Sequence, residues 1–135
     1  MSNWPYIILE QHNYLEKKVM NIMDMLKSSH VDIFNIDPKM KLLIKCIFIH
    51  LSMEENFIYL RIKNEGEIKN LINKHEELRE LCINSTKLLT ETKLTNNGRK
   101  LDDDAKSKIL LVLESALMLI TNENKLYSRA FDHYV

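Results

Sequence analysis

His50 and Glu54 stand four residues apart in HLSMEENFIYLR, residues 50–61. On a helix that spacing puts an imidazole nitrogen and a carboxylate oxygen on one face, one turn apart, where both can bind the same cation. Long helices produce His-x-x-x-Glu by chance, so the pair gains its meaning from its surroundings. Leu43, Ile47, His50, Glu54 and Phe57 recur at alternating intervals of four and three, the spacing of a buried helical stripe. A neutral core histidine hydrogen-bonded to a glutamate is the competing reading of the pair alone.

Three other stripes carry an ionisable group in the same way. Ile8, His12, Leu15, Val19, Ile22 and Leu26 form the first. Ile68, Ile72, His75, Leu78 and Cys82 form another, and Val112, Ala116, Leu119, Glu123, Leu126 and Ala130 the last. These stripes predict a first helix over residues 5–27, with Ser2 or Asn3 as its cap. A second helix is expected over 38–63, started by Asp37 as N-cap and Pro38 at the first helical position. The turn at residues 64–66 is short, so a third helix, ending near 91, should return antiparallel to the second. After a polar loop containing the Asn97-Gly98 turn, a fourth helix begins at 102–104, where aspartates suit a helix N-terminus. At about 1.5 Å of rise per residue, His12, His50, Glu54, His75 and Glu123 fall at one depth of an up-down-up-down bundle. Buried ionisable groups that converge on one layer suggest a cation. His30 and His133 fall in a loop and at the terminus and read as surface residues.

The stretch MLITNENKLYSR, residues 118–129, nearly repeats HLSMEENFIYLR. Both carry E-N-x-hydrophobic-Y-x-R. By this repeat, His50 corresponds to Met118 and Glu54 to Asn122, and neither replacement suits a hard ion such as iron. The stripe count places Glu123 inside the core, whereas the repeat count aligns it with Glu55, and the two readings stand open. Tyr59 and Tyr127 repeat as well; buried tyrosines could donate to a bound oxygen species or to a ligand carboxylate, but core rings with their hydroxyls at the bundle surface are the favoured reading.

Composition fits this plan. The 135 residues suit one domain, and 45% hydrophobic residues suffice for one core. Two glycines and two prolines leave little material for the turns of an all-β fold. The formal net charge is zero and there is no basic run, so nothing favours nucleic acid or an anionic membrane. The N-terminus lacks the basic and apolar regions of a secretory signal, and no apolar run is long enough to span a bilayer. Cys46 and Cys82 form no Cys-x-x-Cys and read as reduced thiols. The expected location is the cytoplasm.

The motifs resemble those of the hemerythrin family, in its bacterial hemerythrin-like, HHE cation-binding branch. The matches are Glu10-Gln11-His12, His50-Leu-Ser-Met-Glu54-Glu55 followed by Ile58-Tyr59, and His75-Glu-Glu-Leu-Arg79. Their order, helix placement and spacing agree over nearly the whole chain. The resemblance implies a four-helix bundle holding iron, with His12, His50, Glu54 and His75 as ligands, and binding or sensing of oxygen, nitric oxide or iron. The departures are Met118 and Asn122, Leu71 one turn before His75, and Arg79 one turn after it, which can pair with a carboxylate instead.

The expectation is therefore an all-α, antiparallel four-helix bundle, a single domain over 1–135, with a metal site of His12, His50, Glu54, His75 and Glu123. Iron, as one ion or two, is the implied metal; zinc would also suit such ligands. The partners are the ion itself and a diatomic ligand, oxygen or nitric oxide. The alternative is a degenerate bundle that has given up its metal and serves as a structural or interaction module. A di-iron enzyme acting on peroxide or nitric oxide is the third reading, and the ligand count disfavours it. Oligomeric state is left open.

Overall fold

The computed structural model describes residues 4–95 and 100–131. Four helices follow in chain order: α1 (Trp4–Leu26), α2 (Ile33–Met53), α3 (Glu65–Thr95) and α4 (Asp103–Phe131). Each packs on its neighbours in the chain and α4 closes the ring against α1, making the antiparallel bundle expected. The Ser2 or Asn3 cap, the Asn97-Gly98 turn and His133 lie outside the described residues, as does the side chain of Ala130.

The stripes bury as the period requires. Along α1, Trp4, Ile8, His12, Leu15, Val19 and Ile22 are all buried. In α3 the buried row is Leu71, His75, Leu78, Cys82, Ser85 and Leu89, an unbroken alternation of four and three. Leu71, rather than the expected Ile72, therefore takes the inner position, and Ile72 faces outward.

α2 begins five residues earlier than expected. Its N-cap is Asp32, whose carboxylate accepts from the Phe34 N–H at 2.9 Å. Asp37 is no cap: it is a buried residue of the helix, and Pro38 lies inside it. The reason is the apolar stripe, which runs on upstream through Ile33, Ile36 and Met40, all buried. That burial outweighs the one backbone hydrogen bond that Pro38 cannot donate. The Asp37 carboxylate, kept from capping, takes Lys41 and Lys93 as partners at 2.9 Å each.

α2 does not end as an α-helix. It passes into a π-helical turn, Glu54–Ile58, and then a 3-10 turn, Tyr59–Arg61. The wider turn inserts one residue into the stripe. Ile58 and Tyr59 are consequently buried, while Phe57, the expected member, is 59% exposed. Caps from Asn64 to the Glu67 N–H and from Asp102 to the Ala105 N–H start α3 and α4. At the end of the bundle away from the π turn, the Leu101 N–H donates to the Val31 carbonyl at 2.8 Å and joins the two loops. No helix of the described residues is long and apolar enough to cross a membrane.

Candidate metal centre

All five predicted site residues, His12, His50, Glu54, His75 and Glu123, lie buried in one layer. α1 brings His12, α2 brings His50 and Glu54, α3 brings His75 and α4 brings Glu123. Four of them, His12, His50, Glu54 and Glu123, each offer one ligand atom, and these atoms lie within 4.8 Å of one another. Opposite ligands on an ion with bonds of about 2.1 Å stand about 4.2 Å apart, so a small inward movement of the set would close it on one ion. The His50 Nε2 to Glu54 Oε1 distance is 3.1 Å, and His12 Nε2 to Glu123 Oε1 is 3.5 Å. His12 Nε2, His50 Nε2, Glu54 Oε1 and Glu123 Oε1 are buried without a hydrogen-bond partner. Buried polar atoms are nearly always paired, so four such atoms facing one point could hold a cation.

Each histidine is oriented through its other nitrogen. His12 Nδ1 lies 2.6 Å from Asn124 Oδ1, His50 Nδ1 2.8 Å from Gln11 Oε1, and His75 Nδ1 2.6 Å from Glu55 Oε2. Those oxygens only accept, so every Nδ1 carries the donated proton. In a neutral ring the Nε2 lone pair is then left to face the centre, the arrangement that fixes metal-binding histidines. Arg79 in turn holds Glu55 at 2.8 Å.

The carboxylates are also held. Tyr127 donates to Glu54 Oε2, and Tyr59 donates to Glu123 Oε2. The tyrosine hydroxyls thus point into the core, which corrects the expectation that they reach the bundle surface. For Tyr59 the π turn is the cause, because it brings the ring inward five residues after Glu54; Tyr127 reaches the core on the ordinary period of α4, four residues after Glu123. The two contacts are reciprocal: the α2 tyrosine holds the α4 carboxylate, and the α4 tyrosine holds that of α2.

That insertion also settles the register of α4. Upstream of the π turn the repeat must be shifted by one, so Glu54 corresponds to Glu123 and His50 to Leu119. Met118 is 65% exposed and Asn122 is exposed too. They face solvent and are not the sites of lost ligands; the position opposite His50 is filled by buried Leu119.

Electrostatics follow from the crowding. Burial alone would lower the His12 pKa, but the facing Glu123 and Glu54 carboxylates outweigh it and push it up to about 10. Burial likewise opposes the charge on Glu54, yet His12 and His50 hold its carboxyl well below the usual range. Glu123 goes the other way, raised by its burial and by the charge of Glu54. His75 is raised against its burial by Glu123, Glu54 and Glu55.

Three residues of the site escaped the sequence reading in these roles, Gln11, Asn124 and Glu55, and the inward tyrosine hydroxyls were its disfavoured alternative. Gln11 and Asn124 each adjoin a stripe residue, which is the only signal they give. Compared with known proteins, the chain matches no family model, no curated protein and no solved structure.

Proposed function

We propose that this bundle binds one first-row transition metal ion through His12, His50, Glu54 and Glu123, with iron as the metal its hemerythrin-like motifs favour. The observation that carries the reading is the set of four buried, unpartnered ligand atoms within 4.8 Å. Two imidazoles and two carboxylates, without thiolate, suit iron, zinc or manganese rather than a soft ion. In a bundle without a metal, hydrophobes at these four positions would be the more stable choice.

Four protein ligands leave room for a small molecule on an iron ion, which would supply a position for oxygen or nitric oxide to bind. A cavity of about 10 Å³, at the lower limit for a single water, adjoins the ligands. Its wall is Leu15, Val19, Leu78, Leu119 and other apolar side chains, and it opens on His50 and Glu123. Such a wall disfavours an ordered water. The free thiols of Cys46 and Cys82 suit a reducing compartment such as the cytoplasm.

Elemental analysis of protein from iron-supplemented cells tests the reading. About one ion per chain is expected, and none in His50→Ala. Wild-type protein that stays empty after anaerobic ferrous loading would overturn it.

A further inference from the structure

His75 shares the layer of the four ligands but differs from His12 and His50 in one respect. Its Nε2 has partners: the Tyr59 hydroxyl at 2.9 Å and Glu123 Oε2 at 3.2 Å. The same Nε2 is 3.6 Å from Glu54 Oε1. Neighbouring ligands on a tetrahedral ion with bonds of about 2.05 Å are about 3.35 Å apart. The spacings of His75 Nε2 from Glu123 Oε2 and Glu54 Oε1 bracket that value. His75, Glu123 and Glu54 therefore outline a second cation position, on the α3 side of the first.

Tyr59 stands in it. Its hydroxyl donates to Glu123 Oε2 and contacts His75 Nε2, so one phenol engages two of the three atoms an ion would need. Glu123 faces the first position with Oε1 and His75 with Oε2, and the Tyr59 hydroxyl fills the space between His75 Nε2 and that second oxygen. The ring is fixed: Tyr59 is 5% exposed, and its centroid lies 5.4 Å from that of His75. The π turn is what delivers it, since the residue inserted in α2 rotates Tyr59 into the core. His12, the counterpart of His75 in the first half of the chain, keeps its Nε2 without a hydrogen-bond partner.

We propose that Tyr59 closes a second metal subsite formed by His75, Glu123 and Glu54, and thereby sets the centre to one ion per chain. The inference rests on the proposed binding of a first ion. Leu71 and Leu119, both buried, offer no further ligand to the second position, so His75, Glu123 Oε2, a Glu54 Oε1 shared with the first ion, and water would hold an ion there once the hydroxyl is gone.

Zinc ion and, separately, anaerobic ferrous ion are the probes, with bound metal counted by elemental analysis after equilibrium dialysis. Wild-type protein is expected to hold one ion, Tyr59→Phe two, and Tyr59→Phe with His75→Ala one again. Tyr59→Leu, which removes the ring as well, should also take two, so a poorly folding phenylalanine variant would not hide the effect. One ion in wild type and in both Tyr59 variants would overturn the role of Tyr59 and leave the first site standing. Two ions in wild type would overturn it as well. No ion in wild type would strike down the metal reading itself, and this inference with it.

Discussion

His12 illustrates how one proton and one metal ion compete for a nitrogen. Held up to about 10 by Glu123 and Glu54, its imidazole is protonated at neutral pH in the metal-free protein. Because the folded value lies above the ordinary one, that charge stabilises the metal-free fold fully below about pH 6.5, and the gain is lost as pH rises toward about 10. Metal affinity runs opposite, since an ion needs the bare lone pair, and should rise across the same window. Titration calorimetry in two buffers of different ionisation heat should show at least one proton released per ion near pH 7.5. Release of none would mean that His12 is not a ligand. The groups that aim the rings are separately testable: Gln11→Ala or Asn124→Ala should weaken metal binding by about 10–100-fold while the fold persists. The histidines and glutamates were legible in the sequence because a charge interrupts an apolar stripe at each of them. Gln11 and Asn124 were not, because an amide beside a stripe looks like any solvated helix edge.

At the scale of the elements, the sequence showed the stripes and missed the one turn that departs from them. A π turn has no composition of its own; its presence follows from which residues end up buried. Counting by the α-helical period through Glu54–Ile58 put Phe57 inside, and the unshifted repeat aligned His50 with Met118. With the extra residue recognised, Glu54 pairs with Glu123 and Leu119 becomes the inner position. Met118→His with Asn122→Glu should therefore leave the metal count unchanged and alter stability by no more than about 0.5 kcal/mol, since both side chains face solvent. Leu119→His should instead change the visible spectrum of the cobalt-loaded protein, because it brings an imidazole beside His50 and Glu123. Identical spectra would show that the α4 register is wrong. Pro38 misled for a related reason: proline marks helix starts on average, but here the stripe from Ile33 to Met40 carries the helix through it.

Across the whole molecule, the two ends of the bundle are built differently. The far end is joined by the Leu101–Val31 hydrogen bond and by Asp37 with its lysines. Burial opposes the charge on Asp37, but Lys41 and Lys93 outweigh it and hold the carboxyl below its ordinary value. Its contribution is therefore present above about pH 4 and lost as pH falls further. Asp37→Asn should cost about 1 kcal/mol at neutral pH, with the gap to wild type narrowing in thermal melts near pH 3. The centre lies toward the other end, with the start of α1 and the end of α4, where Trp4 packs edge-on to Tyr127 with centroids 5.9 Å apart. At metal concentrations a hundredfold above Kd, stability should rise by about 2.7 kcal/mol, and chelation should reverse it.

The first helix and the last meet at that end, and His12 and Glu123 are separated by nearly the whole length of the chain. A load applied between the two termini would reach α1 and α4 first and try to peel them apart. An ion gripped by His12 and Glu123 is a clasp across that seam, where the metal-free protein has packing, the His12–Asn124 hydrogen bond and the looser pairing of His12 with Glu123 at 3.5 Å. Pulled by its ends, the metal-loaded chain should give way at higher force than the empty one, and the clasped loop should let go in a single step.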